Sequence, residues 1–211
     1  MLDIKLVKDQ LFPTPIYCFD NVLEPEYIDS MIEDIKKSSV INKEKRNNNW
    51  QSETNPNLHT HPKYKALAVR VLDLSKVYLD GLLLEYDDFY ITGMWSNILK
   101  EKETHSPHTH SNNFISGVFY LQSDGNSPAI NFIDPRPQAS VLQPQSKKNT
   151  KENSTIWFYP AVVNRMILFP SWLQHFVPRN VSGVDRYSIA FNVMLKGQVG
   201  RPSNFQSHKF E

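Results

Sequence analysis

Cysteine is all but missing. The 211 residues hold one, Cys18, so no intrachain disulfide can form and no thiolate cluster can hold a metal. Net charge is nearly absent too: 23 Lys and Arg stand against 22 Asp and Glu, leaving +1. Proteins that grip nucleic acid show a basic patch and a high positive charge, so the balance argues against a duplex as partner. Long apolar runs are also lacking. Met166–Pro170 is far short of the ~20 residues of a membrane-spanning helix. The N-terminus mixes Asp3, Lys5 and Lys8 into its apolar residues, which is no signal-peptide core. A cytoplasmic protein with no membrane partner is expected. No repeat or low-complexity linker divides the chain, and its length suits a single domain, 1–211, with a sizeable core.

What is present falls into two parts. Leu11 to Phe19 carries Pro13 and Pro15, which forbid helix and tolerate only an edge strand. An exposed edge of this kind is where two copies would meet, so a homodimer is one expectation. A helix is predicted from Glu24 to Lys37, with Pro25 at its first position and Ile28, Ile32 and Ile35 as its apolar stripe. Asn42 to His61 reads as a long polar loop whose one aromatic, Trp50, is a candidate to cover a substrate. Thr60 is the expected cap of a second helix that runs behind Pro62 to Leu79. Tyr64, Leu67, Ala68, Val71, Leu72 and Tyr78 fall on one side of it.

From Tyr86 the period changes to two. Six β-rich runs follow, at 89–95, 114–121, 129–133, 155–159, 162–169 and 186–195, with turn residues such as Asp124-Gly125 and Ser182-Gly183 between them. The expected fold is mainly β with flanking helices, a sandwich or jelly roll of about eight strands. Residues 1–85 would form a helical and loop support, 86–196 the β core and 197–211 a mobile tail that includes His208. Helices backing one sheet would leave the space between the sheets for a site. Trp95, Phe119, Phe169 and Trp172 are expected to fill the core, and Arg136 and the polar run 143–153 to rim the entrance.

Seven histidines carry the chemical information. In an extended stretch His108 and His110, two apart, project to the same side. Paired neutral imidazoles suit Fe, Zn, Cu or Ni. A third ligand is needed, and His175 is the candidate, at the end of the strong β-run Leu168–Gln174. His59-Thr60-His61 repeats the pattern in the polar loop and reads as structural. Arg186 opens an apolar strand and shares a face with Ser188. A buried guanidinium requires a partner. The residues alone leave two: one of the protein's own acids, or a bound carboxylate held by the guanidinium fork and the hydroxyl.

The order His108-x-His110, His175, Arg186-x-Ser188 resembles the Fe(II)- and 2-oxoglutarate-dependent dioxygenases. More of the chain is similar to a family of bacterial and phage oxygenases of this length: Leu11–Ile16, Trp95–Asn97, His110 to Tyr120, Asp134–Arg136, Leu168–His175 and Arg186–Asn192. The resemblance implies a double-stranded β-helix (cupin-like) core with Fe(II) on His108, His110 and His175. Arg186 and Ser188 would clamp the far carboxylate of 2-oxoglutarate. Asn97 is the candidate for its near carboxylate, and Tyr120 for a further hydroxyl at the far one. The implied reaction consumes O2, converts 2-oxoglutarate to succinate and CO2, and oxidises a small-molecule or protein substrate, hydroxylation being the default. One departure stands out. The superfamily pattern has Asp where this chain has His110, which leaves a ferrous site at +2 instead of +1, with His105 and Asp134 as alternatives for the third ligand. Two other readings stay open: a three-histidine cupin-type enzyme that does without 2-oxoglutarate, and a non-catalytic protein that keeps the fold.

Overall fold

A computed structural model describes residues 5–41, 52–53, 55–136, 138, 141–201, 203 and 205–210. Two antiparallel sheets face each other. The larger has the order β1 (Tyr17–Phe19), β8 (Met166–Pro170), β5 (Ile115–Gln122), β10 (Arg186–Val199), β3 (Asp88–Leu99) and β2 (Ser52–Glu53). The smaller is β4 (His105–His108), β9 (His175–Val177), β6 (Ile130–Ile133) and β7 (Ile156–Tyr159). Four strands of the larger sheet (β8, β5, β10, β3) over the four of the smaller make an eight-stranded jelly roll, extended at its edges by β1 and β2.

Period two sorts the side chains of the larger sheet. On β10, Tyr187, Ile189, Phe191, Val193 and Leu195 enter one core cluster, shared with Met31 and Ile35 of α1 (Pro25–Ile41) and Leu67, Val71 and Tyr78 of α2 (Lys65–Gly81). The alternate residues Arg186, Ser188 and Ala190 line the space between the sheets. On β5, Ile115, Phe119 and Leu121 pack beneath the helices, while Val118 and Tyr120 join a second cluster with Phe132, Phe169 and Leu173. The helices therefore cover one face of the larger sheet, and the site occupies the other.

Several expectations change. His61, not Thr60, caps the turn before α2: its ring Nδ1 accepts from the Lys63 N–H at 3.3 Å. Thr60 lies inside a preceding 3-10 turn and donates its hydroxyl to the Asn57 carbonyl. The strand expected from Val162 begins only at Met166, because 162–165 close a turn through Arg165 N–H to Val162 O. The tail is tied down: β10 continues to Val199 and β11 (His208–Phe210) pairs back on it, with His208 opposite Val199. Only Tyr17–Phe19 of the proline-rich segment is strand, and it is paired with β8. Trp50 lies outside the described residues. No helix among the described residues is long and apolar enough to cross a membrane.

Candidate metal and cosubstrate site

β4 and β9 pair so that His108 stands directly across from His175. His110 follows two residues on, and its backbone N–H donates to the Ser171 carbonyl at 3.0 Å, stitching this stretch to the turn before β9. One potential ligand atom from each of the three rings lies within 4.8 Å of the others. The His108 and His175 rings are 4.3 Å apart, and His110 is 5.1 Å from each.

Two of the rings are oriented by backbone. His108 Nδ1 donates to Ser106 O at 2.7 Å, and His175 Nδ1 donates to Leu173 O at 2.9 Å. A carbonyl oxygen only accepts, so Nδ1 carries the proton and Nε2 keeps its lone pair for a metal. Burial holds His110 down to about 4 and His175 down to about 3, and neighbouring imidazoles add to the effect. These two rings are therefore neutral at pH 7, the form that binds a metal. The two alternative ligands stand outside the three-ring group. Asp134 is engaged by Arg136 through Nε at 3.0 Å and Nη2 at 2.8 Å. His105 is not part of the three-ring group.

The space beside the rings is a cavity of about 290 Å³. Across its floor, Ser188 is register-paired with Asn97 on β3 and with Tyr120 on β5, so three polar residues form a row on one face. Arg186 lies one face-step further along β10 and is 2% exposed. Its Nη1 donates to Pro128 O at 2.7 Å, its Nε has no hydrogen-bond partner, and its carbon lies 5.6 Å from the centre of the Tyr120 ring. Among the described residues it has no carboxylate partner, and no acid lines the cavity. Burial lowers the Arg186 pKa and pushes Tyr120 up to about 12. All seven candidate residues line this one cavity.

Of the four aromatics expected in the core, Phe119 and Phe169 are there and the two tryptophans are not. Phe119 is core, but Trp95 lines the cavity with its ring 6.0 Å from His110. Phe169 is buried and also faces the site, its ring 4.7 Å from His175. Trp172 is 57% exposed on a separate cleft, whose lining also includes Arg136 and residues 151–152 of the polar run. A buried chain was missed altogether: the Ser116 hydroxyl bonds Asn192 Oδ1 at 2.7 Å and the Ser171 hydroxyl at 2.8 Å. Period two, counted from Tyr120 to Ser116 and from Ser188 to Asn192, was the signal for it.

Residues 93–192 match a protein family described as "Putative 2OG-Fe(II) oxygenase". That span contains all seven candidate residues. Over that span, 100 of the 211 residues, the β core is similar to the 2-oxoglutarate- and Fe(II)-dependent oxygenases. No curated protein matches the sequence. Solved structures share its fold at low identity. A Pseudomonas putida prolyl-4-hydroxylase is 11% identical with a TM-score of 0.59, over 85% of this chain and 92% of that one. HygX from Streptomyces hygroscopicus, solved with nickel and 2-oxoglutarate, is 12% identical with a TM-score of 0.59, over 90% and 87%. The viral collagen prolyl hydroxylase of Paramecium Bursaria Chlorella virus-1, a 2OG complex, is 10% identical with a TM-score of 0.56, over 84% and 94%.

Proposed function

We propose that this protein is a 2-oxoglutarate- and Fe(II)-dependent oxygenase, a hydroxylase of the cytoplasm that acts on a small molecule or a protein, and that His108, His110 and His175 hold its Fe(II). One observation carries the assignment of the cosubstrate pocket: a buried guanidinium that has no carboxylate partner among the described residues, in a cavity that it shares with three convergent imidazoles and that none of the described acids lines. An unpaired buried cation is expensive, and a dicarboxylate that reaches from the metal to Arg186 relieves that cost. Arg186 and Ser188 hold the far carboxylate, Asn97 faces the near one, and Tyr120 supports the Arg186 end. Phe169 and Trp95 keep water from the imidazoles. Bound Fe(II) supplies the chemistry that couples decarboxylation of 2-oxoglutarate by O2 to oxidation of a substrate C–H bond. Near-zero net charge supports a partner other than duplex nucleic acid. Pairing of two copies through residues 11–19 is part of the same proposal, and light scattering in solution tests it.

The deciding experiment is an anaerobic calorimetric titration of 2-oxoglutarate into Mn(II)-loaded protein, with Arg186→Ala beside it. Metal-dependent binding that the variant loses supports the reading. Absence of binding to folded, metal-loaded protein refutes it, and the three-histidine enzyme that works without 2-oxoglutarate then takes its place.

A further inference from the structure

His105 is the one cavity histidine without a role so far. In a regular strand, residues three apart face opposite sides. β4 is not regular: His105 is paired with Val177 and His108 with His175, so three steps on β4 match two on β9. The extra residue is a bulge, a device that re-aims a side chain beside a site. Ser106 and Pro107 are exposed, and both flanking histidines line the cavity.

His105 sits toward the arginine end. Its register partner lies two residues beyond His175 on β9, and burial, then the Arg186 charge, then His108 hold its pKa down to about 4. The other ionisable groups lining the cavity are Tyr120 on β5 and the three grouped histidines. A carboxylate accepts about four hydrogen bonds. Arg186 has given Nη1 to Pro128, its Nε and Nη2 with the Ser188 hydroxyl make three donors, and Tyr120 meets the guanidinium with its ring, so a far carboxylate has room for a fourth.

We propose that His105 is a further cosubstrate-binding residue, its ring N–H donating to the far carboxylate of 2-oxoglutarate beside Arg186. This rests on the cosubstrate reading above. The bulge in β4 then sets both ends of the cosubstrate: His108 addresses the metal end and His105 the carboxylate end.

The test is calorimetry on Mn(II)-loaded wild type, His105→Leu and His105→Gln, each titrated with 2-oxoglutarate and with pyruvate, a 2-oxo acid without the far carboxylate. His105→Leu should weaken 2-oxoglutarate by about tenfold or more, the loss of one charge-assisted hydrogen bond. Pyruvate and Mn(II) affinities should not change, and His105→Gln, which keeps an N–H, should recover most of the loss. Equal 2-oxoglutarate affinity in wild type and His105→Leu would overturn the inference. So would equal weakening of pyruvate, or a loss of Mn(II) binding, because each places the effect away from the far carboxylate. Failure of the wild type to bind 2-oxoglutarate is a different result and refutes the cosubstrate reading itself.

Discussion

Replacing Arg186 by methionine should make the metal-free protein more stable while removing 2-oxoglutarate binding. The guanidinium is 2% exposed, with one hydrogen bond to Pro128 O and no acid beside it among the described residues. Burying such a charge costs several kcal/mol even after relaxation. Against that stand a charge-assisted hydrogen bond worth about 1.5–3 kcal/mol and a contact with the Tyr120 ring worth roughly 0.5–2 kcal/mol. Methionine keeps the apolar stem and fills irregular space. The balance favours the variant by about 1–3 kcal/mol, or a rise in Tm of roughly 2–4 °C per kcal/mol for a chain of this size.

Urea unfolding of EDTA-treated wild type and Arg186→Met measures this directly, provided the slopes agree. Calorimetry on the Mn(II)-loaded pair supplies the binding half. A variant destabilised by about 2 kcal/mol or more would refute the reasoning, since Arg186 would then be a structural strut. Stability and function are expected to oppose each other at this residue, as they do where a site stores an unfavourable charge for its ligand.

Three more outcomes follow from the same geometry. Metal-free protein should lose stability as the pH falls below about 6.5: His105, His110 and His175 have depressed pKa values in the fold, so only the unfolded chain takes up their protons. At pH 5.5 each costs about 1.4 kcal/mol, and equal urea midpoints at pH 7.5 and 5.5 would contradict it. Mn(II) at about a hundred times its Kd should add roughly 2.7 kcal/mol to wild type and nothing to His175→Ala, as thermal shifts with and without EDTA will show; a metal-induced shift in that variant would remove His175 from the ligand set. His110→Asp should bind Mn(II) more tightly and 2-oxoglutarate more weakly, because it adds one negative charge between a cation and a dianion. Titrations of both would sink this charge argument if the two affinities moved together.

Legibility followed length. The long strands announced themselves by alternation, and the same alternation puts Arg186 and Ser188 on one face. β2, β4 and β9 did not. Two to four residues are too few to show a period unless strand-forming apolar residues fill them, as in β6 and β7, and Pro107 inside β4 reads as a break. The bulge at 105–108 was therefore invisible, and His105 appeared as a substitute ligand for His110. Residue type told that Trp95 and Trp172 have large apolar surface but not which way they face. Thr60 and His61 both carry an atom able to accept from a turn N–H, so sequence could not choose between them. The tail misled for another reason: β11 is held by pairing with β10, a contact across the chain that local composition does not encode.

The substitution of histidine for the expected acid at position 110 becomes intelligible once the cavity is seen whole. With aspartate, the metal and its ligands would carry +1, Arg186 +1 and 2-oxoglutarate −2, a neutral site. With His110 the same sum is +1, and none of the described acids lines the walls to offset it. Two of the three grouped imidazoles stay neutral through burial, so protons do not compete with a metal for these two rings at pH 7. Beyond Arg186, further positive charge would then arrive with the metal, and a dianion would answer both. On the proposed reading metal and cosubstrate are coupled in this way: each supplies the charge that the other needs, in a space that water screens poorly.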